Sequence, residues 1–302
     1  MTNKIGLVCS APADPESERR GRSKPDPAPG LVNMQFPYYF NLFGLRLHPH
    51  PVLEVIGYSA GFQLFLYLRR RWSRPAVTLP FERNMWVIVG AVFGALAGSK
   101  LLAWVESPHE YAQAWRSGAG AAALLGGKTI VGGLIGGWAG VELVKKRLGV
   151  SARTGDLYVF PLLLGMCIGR VGCFLTGLPD HTYGSASTLP WAVDFGDGVP
   201  RHPTQLYEIV FLLLLGAALL LRMRRSWVDG EIFRLFMLGY LLWRFAVEFI
   251  KPRYTGYLGL SAIQWASAGV AGVCVASLLR MRRGRRQTGG DYDGILTPAR
   301  SG

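Results

Sequence analysis

Seven long apolar runs dominate this chain, covering approximately residues 50–68, 85–105, 119–143, 157–178, 205–222, 231–250 and 260–279. Each is long enough to cross a bilayer as a helix, which takes roughly 17–25 residues. The pattern predicts an all-α, polytopic integral membrane protein with about seven transmembrane helices. Those helices would form one domain over residues 36–280. The polar segment 1–35, rich in Pro, Glu, Arg and Lys, reads as a disordered N-terminal tail, and 281–302 as a basic, flexible C-terminal tail.

Composition supports the membrane reading. Half of the residues are hydrophobic, only 17% are charged, and the net charge is +14. Basic residues sit at the ends of the apolar runs rather than on one polar face, which argues against nucleic acid as a partner. Arg69, Arg70, Arg71, Arg74 and Arg83, then Lys145, Lys146, Arg147 and Arg153, then Arg222, Arg224 and Arg225, and finally the C-terminal cluster fall on one side. The opposite connections carry Arg116, Arg201, Lys251 and Arg253. By the positive-inside rule the N-terminus is outside and the C-terminus cytoplasmic.

That orientation gives meaning to charges inside the runs. Arg170 lies in Gly169-Arg-Val-Gly172, and Arg244 lies in Trp243-Arg-Phe-Ala-Val-Glu248. A guanidinium cannot shed its proton, and placing it in hydrocarbon costs at least about 2.5 kcal/mol. Both arginines, with Glu248, fall in the outer halves of their spans, as do Lys100 and Lys128. The outside connection after the fourth span delivers Arg201-His-Pro-Thr-Gln-Leu-Tyr-Glu208. Cations and hydrogen-bonding groups thus gather at one depth, which predicts a polar cavity at the outer leaflet. A phospholipid phosphodiester is the obvious anion there.

Blander explanations compete with each motif. Gly132, Gly133, Gly136 and Gly137 give small-xxx-small faces that suit plain helix packing. The likeness of Gly127-Lys128-Thr129 to a phosphate loop is weak, since no strand precedes it. Arg170 could be paired structurally with Glu248 or Glu208, and Arg201–Glu208 could be a cap and interface anchor. Cys9, Cys167, Cys173 and Cys274 show no metal spacing, and three of them read as small buried thiols. No metal and no cofactor is expected.

The order of a Gly132–Gly136 helix, a Gly169–Phe174 helix, the outside Arg201–Glu208 segment and an Arg244–Phe249 helix before Lys251-Pro252 resembles the prolipoprotein diacylglyceryl transferase family. The resemblance runs from about residue 50 to 280, and its Arg-His-Pro-Thr-Gln-Leu-Tyr-Glu segment is highly specific. It implies transfer of a diacylglyceryl group from phosphatidylglycerol to the lipobox cysteine of preprolipoproteins at the outer leaflet of the bacterial plasma membrane. Phosphatidylglycerol, lipobox peptides and membrane lipids would be the partners. By resemblance Arg170 and Arg244 hold the phosphate, with Glu248 orienting Arg244. Arg201, His202, Gln205, Tyr207 and Glu208 line the mouth of the site, and Tyr58 matches a family tyrosine. Lys100, Lys128, Gly132, Gly133, Gly169 and Gly172 complete the candidate binding set.

Three stretches depart from the family pattern. Val131 stands where the family has a histidine before the paired glycines. Cys173, Thr176, Gly177 and Leu178 replace asparagines and a Gly-Asn-Gly-Glu-like end, and Glu54 falls where a tyrosine is expected. The phosphate-binding half is kept and the proton-transfer half altered. His202 or Glu208 could then act as base, with Lys128 favouring the thiolate. The alternatives are a diverged transferase with another acceptor, lipid binding without catalysis, or a lipid or anion transporter. The last should show two-fold internal repeats, which this chain lacks.

Overall fold

A computed structural model describes residues 36–42, 44–71, 79–118, 126–225, 227–252 and 256–292. The N-terminal segment 1–35 and the last ten residues lie outside it. Among the described residues eight α-helices follow in chain order: α1 (Pro49–Arg71), α2 (Phe81–Glu106), α3 (Pro108–Arg116), α4 (Ile130–Arg147), α5 (Val159–Thr176), α6 (Thr204–Met223), α7 (Glu231–Val247) and α8 (Ala262–Tyr292). Short 3-10 turns occupy Gly155–Tyr158, Leu178–Asp180 and Glu248–Ile250. Two small antiparallel ribbons complete the described elements: β1 (Phe40–Leu42) with β2 (Leu45–Leu47), and β3 (Val193–Asp194) with β4 (Pro200–Arg201).

Each expected span contains a long helix. Among the described residues five helical stretches are long and apolar enough to cross a membrane by length and composition: Pro49–Arg71, Phe81–Glu106, Gly155–Thr176, Thr204–Met223 and Ala262–Arg283. The other two, α4 and α7, carry more charge, with Glu142, Lys145, Lys146 and Arg147 on one and Glu231, Arg234 and Arg244 on the other. Large apolar side chains such as Phe93, Leu213 and Leu214 are more than 60% exposed, as lipid-facing positions would be. The final helix runs on through Tyr292, into the segment expected as a tail.

The third span begins later than its hydropathy suggests. Residues 119–125 lie outside the described set, and the helix opens only at Ile130. Thr129 caps it: its hydroxyl accepts from the Gly132 N–H at 3.3 Å, and its own N–H donates to Ser99 Oγ at 2.9 Å. Before the cap, Gly127 adopts a left-handed φ of 56°, a conformation that ends any continuous helix from upstream.

Backbone proximity governs how α2 and α4 pack. A Cβ on Gly94 would come within 2.2 Å of the Gly136 carbonyl oxygen, and one on Gly98 within 2.4 Å of that of Gly132. The glycine motif of α4 therefore seats two helix backbones against each other, and Gly132 is part of that seam. Gly133 lies at its edge, its nearest neighbours being about 3.8 Å away. A central core of Val159, Leu163, Leu212, Ile232, Phe236, Met237, Tyr240 and Leu241 joins α5, α6 and α7, and Val131 packs into it. Asp156 fixes the start of α7 by accepting the N–H groups of Gly230 at 2.8 Å and Phe233 at 2.9 Å.

One close approach positions the candidate site. Gly172 on α5 faces the first turn of α1, where an added Cβ would sit 3.4 Å from His50 Cα and 3.2 Å from Leu53 Cβ. Only a small residue lets the two backbones come this near. The connection between α5 and α6 then folds over the same end of the bundle. It is tied down by the Ser185 N–H donating to the Ile250 carbonyl at 2.8 Å and the Gly184 N–H to that of His202 at 2.9 Å.

Candidate active site

Arg170, near the C-terminal end of α5, is 5% exposed; Arg244 near the end of α7 is 6%, Glu248 4%, and Glu208 in the first turns of α6 2%. Four ions this deep are tolerable only as a paired set. Glu208 is the hub. Its Oε2 lies 2.9 Å from Arg170 Nη2 and 4.0 Å from Arg244 Nη1, while its Oε1 accepts the Tyr240 hydroxyl at 2.8 Å. Glu248, one turn beyond Arg244, accepts from its Nη2 at 2.9 Å. The blander pairing of Arg170 with Glu208 is thus present, yet it does not use up the donors. Arg170 Nε and Arg244 Nε and Nη1 are buried and make no hydrogen bond among the described residues. Buried guanidinium N–H groups normally find an acceptor.

Lys251 stands beside this pair, just beyond the helix end. Burial lowers its amine to about 7, and the positive charges of Arg244 and Arg170 push the same way against Glu248 and Glu208. In the sequence it stands out only as one of the few basic residues of the outside connections and as the basic half of Lys251-Pro252.

A second polar group lies next to the first. His50 and Glu54 are one turn apart on α1, with His50 Nε2 3.6 Å from Glu54 Oε2. His50 Nδ1 is 3.0 Å from Asp180 Oδ1 and 3.9 Å from Cys173 Sγ. Burial would raise the Asp180 carboxyl, but hydrogen bonds from His50 and Thr182, with the His50 charge, hold it down at about 2. Glu54 in turn accepts from Tyr58 at 2.7 Å and from Lys128 at 2.9 Å. The two groups meet where Arg170 Nη1 donates to Cys173 Sγ at 3.7 Å. A continuous line of polar contacts therefore runs from Lys128 to Glu248.

The predicted convergence of cations is only partly realised. Arg170 and Arg244 share one carboxylate, and Lys128 joins the His50 end. Lys100 instead donates to the carbonyls of Gly126 and Gly127 at 3.0 and 2.8 Å, holding the turn before α4. Arg201 forms a two-point pair with Asp197 at 2.6 and 2.7 Å and lies over the Tyr183 ring at 5.1 Å. That pairing raises the arginine and lowers the aspartate from their ordinary values.

The rest of the Arg201–Glu208 segment is a scaffold around the hub. His202 Nδ1 is 3.2 Å from the Tyr207 hydroxyl, which also accepts from Trp191 Nε1 at 2.7 Å. Gln205 is fully buried and donates to Thr182 Oγ1 at 3.1 Å; Thr182 donates in turn to Asp180. One segment thus touches both polar groups, through Glu208 and through Gln205. Gly169 has open space around its α-carbon.

A family model described as prolipoprotein diacylglyceryl transferase matches residues 37–280. The chain belongs to this family. A phosphatidylglycerol–prolipoprotein diacylglyceryl transferase of Bordetella avium is 31% identical over 274 residues, covering 84% of this chain and 99% of its own length. Proteins of the same name from Bordetella parapertussis and Coxiella burnetii are 32% identical over 243 residues and 29% over 247, covering 74% and 77% of this chain.

Two of the residues that differ from the pattern implied by the resemblance lie close together, and a third lies apart from them. Val131 is a buried core residue. Glu54 and Cys173, both at departing positions, stand on either side of His50. His50, Asp180 and Tyr240 were not singled out from the sequence. The one signal available was the His50–Glu54 spacing of four at the mouth of an apolar run.

Proposed function

We propose that this protein transfers the diacylglyceryl group of phosphatidylglycerol to the lipobox cysteine thiol of preprolipoproteins. The reaction takes place at the outer leaflet of a bacterial plasma membrane, with the N-terminus outside and the C-terminus cytoplasmic. The carrying observation is the pair Arg170 and Arg244, buried around one carboxylate with three guanidinium nitrogens still open. Basic last turns on α1, α4 and α6 support the orientation, since alternate helix ends then share one side. The ion cluster falls at the opposite ends of the same bundle.

Chemically, the acceptor sulfur attacks the glyceryl carbon that bears the phosphate. A C–S bond forms, the C–O bond to phosphate breaks, and its electron pair leaves on the phosphate oxygen as glycerol phosphate. The thiol proton departs before or during attack. Arg170 and Arg244 stabilise the charge that grows on the leaving phosphate, and this is where such donors contribute most. Glu208 and Tyr240 hold Arg170 in place, and Glu248 holds Arg244. With its carboxylate shared among Arg170, Arg244 and Tyr240, Glu208 serves as the counter-ion of the clamp. Thiol activation then falls to groups outside the arginine pair.

Turnover of a lipobox peptide in phosphatidylglycerol vesicles tests this reading. Arg170→Ala and Arg244→Ala should each lose about 10²–10³-fold in rate, the scale of a missing oxyanion donor. Arg201→Ala, whose partner is Asp197, should stay close to the parent. Unchanged turnover in Arg170→Ala overturns the phosphate role.

A further inference from the structure

The transferase reading leaves one cluster without a task. His50 Nδ1, Cys173 Sγ and Asp180 Oδ1 come from three different elements, and all lie within 4.8 Å of one another. Cys173 and Asp180 are largely enclosed, and His50 is half-buried. The pairs are 3.0 Å apart for nitrogen to oxygen and 3.9 Å for nitrogen to sulfur. Around a tetrahedral zinc with bonds of about 2.0–2.3 Å, such ligand atoms stand roughly 3.3–3.6 Å apart. Those two spacings each lie within a few tenths of an ångström of that geometry.

We propose that His50 Nδ1, Cys173 Sγ and Asp180 Oδ1 form a zinc site with one coordination position open to a ligand. A mixed nitrogen, sulfur and oxygen set suits this borderline metal, and three protein ligands with an open fourth place is the pattern of reactive rather than structural zinc. The surroundings are those of a ligand set. His50 offers its other ring nitrogen to Glu54 at 3.6 Å, the carboxylate contact that orients a metal-bound imidazole. Glu54 is itself fixed by Tyr58 and Lys128. Asp180 accepts from Thr182, which Gln205 positions. Cys173 Sγ accepts from Arg170 Nη1 at 3.7 Å, so the sulfur is turned toward the arginine pair.

The same contact places the open position next to the phosphate clamp. A thiol that enters it loses its proton to solvent and binds as thiolate, so attack needs no separate base. This last step rests on the transferase reading; the ligand set does not. It also gives the departures at Glu54 and Cys173 a shared purpose, with Val131 no longer required to move a proton.

The test uses the full chain in detergent micelles, stripped with chelator and reloaded with zinc or cobalt(II). Parent protein should retain one zinc per chain after desalting, and cobalt should give a thiolate-to-metal charge-transfer absorption. Cys173→Ser and Asp180→Asn should each weaken zinc binding by at least about tenfold, and Glu54→Gln by about tenfold, as changes around a metal-bound imidazole do. Cys167→Ser should bind as the parent. Phosphatidylglycerol binding should survive zinc removal, so a failed transferase reading and a failed metal site give different results. Folded parent protein that holds no zinc, cobalt protein without the charge-transfer band, or equal zinc binding by folded Asp180→Asn overturns the proposal.

Discussion

Replacing Glu208 by Gln keeps the side-chain shape and removes the charge that two arginines share. The parent carboxylate meets Arg170 at 2.9 Å, the Tyr240 hydroxyl at 2.8 Å and Arg244 at 4.0 Å, with no more than 7% of any ionic partner exposed. The amide can accept from one partner, but it turns N–H groups toward the other. Arg170 is left as a buried cation without its counter-ion, which costs about 3–5 kcal/mol when one half of a buried pair is removed. Tyr240→Phe removes only a hydrogen bond to a charged acceptor and should cost about 1.5–3 kcal/mol. Both act through one carboxylate, so the double variant should fall short of the sum by about 1 kcal/mol. Replacing the pair outright, as Arg170→Met with Glu208→Leu, should restore most of the stability while phosphatidylglycerol binding is lost. The assay is reversible unfolding in mixed micelles near neutral pH, followed by tryptophan fluorescence. A Glu208→Gln protein within about 0.5 kcal/mol of the parent would refute the reasoning, because such a change is what an ordinary surface site shows.

Other expectations follow from separate contacts. Gly136→Ala puts a methyl group 2.2 Å from the Gly94 carbonyl oxygen, so α2 and α4 must part, at about 1–3 kcal/mol of overpacking; the same unfolding assay measures it. Lys251, with its amine at about 7, is charged below that pH and neutral above it. Affinity for phosphatidylglycerol vesicles should therefore fall as pH rises through 7, and Lys251→Met should flatten that slope; a parent profile flat from pH 6 to about 8 contradicts it. Arg201→Ala breaks a partly exposed pair with Asp197 and should change stability by no more than about 1 kcal/mol.

Much of the architecture was legible because a bilayer imposes it. Long apolar runs with basic ends can satisfy their backbone only as helices, so α1, α2 and α5 to α8 lie where hydropathy puts them. The start of α4 was hidden because Gly126 and Gly127 do not interrupt an apolar run, although a left-handed φ at Gly127 and a cap at Thr129 interrupt the helix. Arg170, Arg244, Glu208 and Glu248 stood out for the same physical reason: an ion in hydrocarbon needs a partner. Depth, however, does not give direction around a helix. Lys100, Lys128 and Arg201 lie at the expected end of the bundle but turn to Gly126 and Gly127, to Glu54 and to Asp197. His50 and Cys173 are 123 residues apart in sequence, and only the close approach at Gly172 brings them together.

The central claim is a carbon–sulfur bond made next to two arginines. Purified protein in phosphatidylglycerol vesicles, given a lipobox peptide, should yield one thioether-linked diacylglyceryl peptide for each glycerol phosphate released, as read by mass spectrometry. Folded protein that binds phosphatidylglycerol and still makes no thioether product would contradict it.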